Sequence, residues 1–158
     1  MTAQGSVMGR KRSKTGSAAE AVFELVSRTW DKGLRLWKIP RGLRVIGGKG
    51  GKLRSVPAEK TGPDYLGVCQ GQSIAVEVKS CGRGNLPFSA FDDHQIADLT
   101  DHEKRGGASF AAAVTRGAVY MVPWSVVLQW MNEEDGSSVP KMWVEQFRAK
   151  AGWSFRSA

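Results

Sequence analysis

The 158-residue chain has only two cysteines, two histidines and no long apolar run, and each scarcity removes a class of protein. Cys69 and Cys81 are neither closely spaced nor joined by a second His/Cys pair in zinc-ligand order, so they read as reduced thiols without assigned chemistry. No stretch approaches the roughly 20 apolar residues of a membrane helix, and the N-terminus lacks the hydrophobic core of a secretory signal. A cytoplasmic protein is expected. No internal repeat is evident. Acidic residues are scarce in one part of the chain only: residues 1–60 hold 14 Lys/Arg against 4 Asp/Glu, whereas residues 61–158 hold 9 against 11. The formal charge of +8 is therefore concentrated on one end or face, suited to a polyanion. With 41% hydrophobic and 24% charged residues, the chain can build one domain around a real core.

Charge in an apolar setting is the strongest local signal. Between Gly62 and Ser80 two carboxylates and a lysine lie in what reads as a β-hairpin. Side chains alternate along a strand, so Glu77 and Lys79 share one face while Val76 and Val78 take the other. A two-residue turn at Gln70-Gly71 would set Asp64 directly opposite Glu77, at about 4.5–5.5 Å between Cβ atoms, where like charges repel unless a cation stands between them. Leu66, Val68 and Ala75 would share that face and Tyr65, Ile74, Val76 and Val78 the reverse, which predicts a central hairpin covered on both sides. Hard oxygen ligands such as Asp64 and Glu77 suit Mg²⁺ or Mn²⁺, which accept phosphate oxygens as further ligands. Lys79 could position a water or meet the negative charge of the transition state, and phosphodiester hydrolysis follows. A structural buried ion pair is the competing account of Lys79.

Pro63-Asp64, twelve residues, then Glu77-Val78-Lys79 resembles the PD-(D/E)-x-K nuclease signature, and the surrounding chain is similar to the RecU-type Holliday junction resolvases. The resemblance runs from about Gly16 to Trp130 through Gly16-Ser17-Ala18-Ala19-Glu20, Trp37-Lys38-Ile39-Pro40, Asp64-Tyr65-Leu66-Gly67, Glu77-Val78-Lys79-Ser80, Leu86-Pro87-Phe88, Asp93-His94-Gln95 and Gly106-Gly107. The chain carries Gly62-Pro63 where members of that family carry a hydroxyl residue before the Asp. The resemblance implies an α/β fold, a restriction-endonuclease-like mixed β-sheet flanked by helices with a protruding basic stalk. It implies that Glu20, on the first helix, joins Asp64 and Glu77 as a metal ligand, and that Gln95 orients water or phosphate beside the catalytic Lys79. It further implies a homodimer that binds four-way branched DNA and uses Mg²⁺, with Mn²⁺ as a substitute. Two alternatives stay open: another PD-(D/E)-x-K nuclease acting on duplex or flap DNA, and a non-catalytic branched-DNA-binding protein.

The rest of the chain fits around that hairpin. Residues 1–15 read as a flexible basic arm, with Arg10, Lys11, Arg12 and Lys14 as phosphate contacts. Helical spacing of Ala18, Ala19, Val22, Phe23, Val26 and Trp30 predicts a helix from Ser17 to about Trp30, on which Glu24 is expected to be solvated. A strand over Leu34 to Ile39 leads into the Gly/Lys-rich stretch at about 40–60. Leu43–Ile46 and Leu53–Val56 could pair there as a projecting hairpin. It resembles the RecU-type stalk, with Arg44, Lys49, Lys52 and Arg54 as DNA contacts. After the acidic hairpin, Arg83 in a polar loop is placed to reach a phosphate. Ser89 is expected to cap the next helix, with Asp92 at its third position and Gly106-Gly107 at its end. Two strands over Phe110–Val114 and Val119–Val122 and a helix over Ser125–Met131 complete a nuclease domain at 16–131. Residues 132–158 form an extension whose Met142, Trp143, Phe147, Trp153 and Phe155 are expected to pack on the domain or a dimer.

Overall fold

The computed structural model describes residues 16–40, 42–57, 62–133 and 136–154. A helix over 16–27, α1, begins the described chain. Its apolar residues recur at three- and four-residue intervals, so Ala19 and Phe23 fall on one face and are buried there. Arg10, Lys11, Arg12 and Lys14 lie outside the described residues.

Five strands form the main sheet: β1 (Leu34–Lys38), β4 (Tyr65–Cys69), β5 (Gln72–Ser80), β7 (Ala108–Val114) and β8 (Val119–Pro123), in the order β1-β4-β5-β7-β8. Only β5 and β7 run parallel, because α2 (Asp93–Lys104) carries the chain back between them, while the other neighbours are antiparallel. The result is a mixed sheet with β5 at its centre. Two short strands, β6 (Leu86–Pro87) and β9 (Ser138–Val139), pair apart from it. Among the described residues β2 (Leu43–Lys49) and β3 (Lys52–Pro57) pair only with each other. The turn between them uses Gly50 and Gly51 at φ 63° and 74°, and Ile46 bulges out of the ladder.

Apolar residues cover both faces of the central strands. On one face Phe23 and Trp30 meet Tyr65, Ile74, Val76, Val78, Phe110 and Trp153. On the other, Ala75, Ala111 and Ala113 receive Leu99 of α2 and Trp124 and Val127 of α3 (Trp124–Met131). Alanines on β7 leave room for the large Trp124 ring, which is fully buried against Phe91 at 5.3 Å between centroids. Truncating Phe23 or Trp124 to alanine would cost about 3–5 kcal/mol. Residues 136–154, including the short helix α4 (Lys141–Val144), add Val139 and Val144 to the second face and Ala149 and Trp153 to the first. Trp153 stacks beside Trp30 at 4.8 Å, and the Ala149 N–H donates to Val119 O at 2.9 Å.

Two expectations need correction. Cover on both faces holds for β5 but not for β4, where Leu66 and Val68 remain 37% and 38% exposed. The helices α2 and α3 lie over β5, β7 and β8, so the β1-β4 margin extends beyond them and also leaves Trp37, registered opposite Leu66, at the surface. The second helix is capped by Asp92 rather than Ser89. Residues Phe88–Ala90 instead form a 3₁₀ turn, because Asp92 and Gln95 stand in the reciprocal capping-box spacing. Among the described residues no helix is long and apolar enough to cross a membrane.

Candidate active site

A tight turn sets the site. Gln70 and Gly71 both have positive φ, 50° and 83°, as a type I′ hairpin turn requires. The register that follows pairs Tyr65 with Val76 and Leu66 with Ala75. One step beyond, Asp64 faces Glu77. The next position on the first strand is Pro63, which has no N–H and so ends the ladder. The Val78 N–H on the facing strand is taken instead by Asp64 Oδ2 at 2.8 Å. Asp64 is held from its other side too, since the Ile39 N–H donates to its carbonyl at 2.8 Å. The Pro-Asp pair thus replaces a strand rung with a carboxylate.

Asp64 and Glu77 are 6% and 1% exposed. Buried carboxylates cost several kcal/mol each unless they are paired and hydrogen-bonded. Glu77 Oε1 receives Lys79 Nζ at 3.0 Å and Gln95 Nε2 at 2.5 Å. Lys79 Nζ also donates to Gln95 Oε1 at 2.9 Å and lies 5.0 Å from the centre of the Phe91 ring. That same Gln95 oxygen accepts the Asp92 N–H at 3.0 Å. Gln95 therefore serves twice, as the third residue of a helix cap and as the clamp between Glu77 and Lys79. The helix start dictates where the site amide points.

A second polar cluster stands at the end of β1. Lys38 Nζ bonds Glu20 Oε2 at 2.8 Å and Glu24 Oε1 at 3.2 Å, and the Tyr65 hydroxyl donates to Glu24 Oε1 at 2.7 Å. Hydrogen bonding from Tyr65 lowers the Glu24 pKa, and bonding to Glu20 raises that of Lys38. Burial and then Glu24 push the Tyr65 phenol above its ordinary range. Glu24 is thus a bonded member of a network rather than a merely solvated helix residue. Lys38 and Tyr65 are partners in the sheet register. Their roles were missed in the sequence, because both depend on which strand lies beside β4 and on which face α1 packs.

Of the residues expected at the site, Asp64, Glu77, Lys79 and Gln95 are brought together. Glu20 is held by Lys38 at the neighbouring strand end, with α1 on the opposite sheet face. Among the described residues no three His, Cys, Asp or Glu side chains gather as a metal-holding group. The donor chemistry nevertheless fits a hard divalent cation, since Asp64 and Glu77 are two facing carboxylates. Cys81 does not compete as a ligand, since burial pushes its thiol up to about 11. Arg83 is exposed in the loop after β5, and Lys52 and Arg54 are exposed on β3. Arg44 and Lys49 lie in β2, their side chains outside the described set.

Three comparisons bear on this arrangement. The family described as Recombination protein U matches residues 48–154. The Holliday junction resolvase RecU of Bacillus pumilus (strain SAFR-032) is 36% identical over 63 residues, which span 39% of this chain and only 31% of that protein. The solved structure of Archaeoglobus fulgidus Hjc, a Holliday junction resolvase from an archaeal hyperthermophile, superposes with a TM-score of 0.53. That match covers 85% of this chain and 95% of the other at 16% identity. It shows a shared fold, the restriction-endonuclease-like mixed sheet flanked by helices.

Proposed function

The chain belongs to the Recombination protein U family, and from that premise we propose that it is a metal-dependent endonuclease that resolves four-way DNA junctions. The observation that carries this reading is the buried Asp64-Glu77 pair, clamped by Lys79 and Gln95 at the centre of the sheet. A stability role alone would favour apolar residues there, because a buried ion pair seldom improves on well-packed hydrophobic side chains.

Asp64 and Glu77 would hold the cation, with Glu20 as the third ligand in exchange for its bond to Lys38. Mg²⁺, with Mn²⁺ as substitute, supplies Lewis acidity toward the scissile phosphate and the attacking water. Lys79 would place its Nζ beside that position, where it orients the water and meets the negative charge that builds on the phosphoryl oxygens. Gln95 fixes the ammonium through its capped carbonyl. In the reaction one water adds to phosphorus, one P–O ester bond breaks, and the proton finishes on the leaving oxygen.

Resolution needs paired cuts in opposed strands of a twofold substrate, which favours a homodimer. Recognition rests on branched shape and backbone charge, since phosphate contacts carry little sequence information. Arg44, Lys49, Lys52 and Arg54 on the stalk supply part of that charge, with Arg10, Lys11, Arg12 and Lys14 ahead of the domain.

The test is cleavage of a labelled four-way junction in Mg²⁺, beside a linear duplex and a flap of the same sequences, with Asp64→Asn as control. Symmetric nicking of the junction alone is expected. Equal cutting of duplex or flap would remove the junction assignment, and equal activity of the folded Asp64→Asn chain would remove the site.

A further inference from the structure

A cleft of about 220 Å³ opens where β5 and β7 end, lined by Arg83, Thr115, Arg116, Tyr120, Lys141 and Glu145. Three cations and two hydroxyls face one carboxylate there. Among the described residues the ion pair within this group is Lys141 Nζ to Glu145 Oε1 at 3.6 Å, a loose exposed contact.

Backbone hydrogen bonds fix the turns that carry Arg83 and Arg116. The Cys81 N–H donates to Val114 O at 2.8 Å, tying the Arg83 loop to the end of β7, and the Gly84 N–H closes that loop onto Cys81 O at 3.0 Å. Arg116 occupies a tight turn closed by the Thr115 N–H on Ala118 O at 3.0 Å, with Gly117 at φ 75°. The Lys141 stem lies across Gly84 so closely that a Cβ at Gly84 would meet Lys141 Cγ and Cδ at 3.0 Å. Two guanidinium forks on fixed turns, with the Thr115 and Tyr120 hydroxyls beside them, are suited to the oxygens of a phosphate.

The cleft lies at the same end of the sheet as the carboxylates. Lys79 and Ser80 register with Ala113 and Val114, and Arg83 and Arg116 follow these pairs directly. At about 3.3 Å per strand residue, Ser80, the last residue of β5, stands roughly 10 Å beyond Glu77, and the cleft opens just past it. One strand of a duplex presents a phosphate about every 3.4 Å of axis, so the cleft is roughly three phosphates from the carboxylate pair.

The geometry points to a second phosphate-binding subsite in this cleft, which takes a backbone phosphodiester of the DNA arm leading away from the cut. It rests on the nuclease reading above, and it adds Arg116, Lys141, Thr115 and Tyr120 to the surface that Arg83 alone would offer. The subsite fixes how far along an arm the cut falls, since it grips the strand at a set distance from Asp64 and Glu77.

The experiment measures binding of a labelled four-way junction from 50 to 200 mM salt by the full chain carrying Asp64→Asn, with and without Arg83→Ala and Arg116→Ala. Loss of two phosphate contacts should flatten the log–log salt slope by about 2. A slope within error of the parent would overturn the subsite. In a second arm, single neutral methylphosphonate linkages are walked along the junction arm against the unsubstituted binding surface. One position a few nucleotides from the cut should weaken binding, and the double variant should be indifferent to it. The absence of any such position, or the same position persisting in the double variant, would also overturn the subsite. Cleavage by the unsubstituted chain, run in parallel, keeps the two readings apart: no junction cleavage defeats the nuclease reading, whereas intact cleavage with an unchanged salt slope defeats the subsite alone.

Discussion

The two long hairpins of this chain share a local device and differ in everything around it. The β4-β5 hairpin turns on Gln70-Gly71 and the β2-β3 hairpin on Gly50-Gly51, and all four residues have positive φ. One hairpin lies inside a five-stranded sheet with β5 buried on both faces, and the other pairs with no further strand among the described residues. Charge follows that difference. The embedded hairpin holds carboxylates that must be clamped because they are out of water, while the separate one carries Lys52 and Arg54 exposed to solvent. Chemistry needs the first setting, where groups keep fixed positions. Gripping a variable polyanion needs only the second.

The sharpest way to break this division is to remove a clamped carboxylate. Asp64→Asn or Glu77→Gln should lower junction cleavage by roughly 10²–10⁴-fold, the usual weight of a positioned catalytic group, while gel-shift affinity for the junction is retained. Comparable cleavage would show that the buried hairpin is structural only.

Gln95 tests whether the clamp belongs to the helix cap or to the chemistry. Gln95→Ala removes both and should cost about 0.5–2 kcal/mol in chemical denaturation together with roughly 10–100-fold in cleavage. Gln95→Glu keeps the capping-box chemistry but brings a third carboxyl against Glu77, where the amide now donates to Glu77 Oε1 at 2.5 Å. Its stability in denaturant should sit above that of Gln95→Ala, with cleavage still depressed. Recovery of full cleavage by Gln95→Glu would mean that only the cap matters.

The stalk should respond in the opposite pattern. Lys52→Ala with Arg54→Ala should flatten the salt slope of junction binding by about 2 and leave unfolding free energy within about 0.5 kcal/mol of the parent. A large loss of stability would show that β2-β3 is as integrated as β4-β5. The turns sharpen the same point. A Cβ at Gly71 or Gly51 meets nothing within 4 Å, so alanine there adds backbone strain alone, about 1–2 kcal/mol. Gly71→Ala should lower global stability by that amount. Gly51→Ala should leave the global transition in place and speed only the amide exchange of β2 and β3.

How much of this could be read in the chain depends on the range of the interaction involved. The Asp64-Glu77 register was legible because a two-residue turn and a period of two determine it, and both are local. The same holds for Val76 and Val78 facing the core. The cap of α2 was misplaced at Ser89 because Asp92 and Gln95 offer a competing start three residues on, and tertiary bonding of Gln95 to Lys79 and Glu77 selects it. Exposure of Leu66 and Val68, and the roles of Lys38 and Tyr65, were illegible for another reason. They depend on where α1, α2 and α3 come to rest on the sheet, which no single segment encodes.

The smallest expected effect lies at the back of the embedded hairpin. His102 on α2 bridges Ser73 of β5, Nε2 to Oγ at 2.8 Å, and Ser109 of β7, Nδ1 to Oγ at 2.8 Å. The Ser109 hydroxyl donates to Leu99 O at 3.0 Å, so Nδ1 carries the proton toward Ser109 and the neutral ring accepts from Ser73 through Nε2. Burial lowers the His102 pKa below its ordinary 6.5. The folded state therefore binds fewer protons than the unfolded chain in the window just below that value, and stability rises with pH across it. The contribution is fully present above about 6.5 and is lost as pH falls through the lower folded value. Denaturant titrations between about pH 7.5 and 5 should show this slope in the parent and a flatter one in His102→Gln, whose amide can still donate to Ser109. Amide exchange in β2-β3 should not change with it, because the anchor ties α2 to β5 and β7 and leaves the stalk alone. An equal pH response in both hairpins would mean that they unfold as one unit, and the contrast between them would then be one of charge and burial but not of stability.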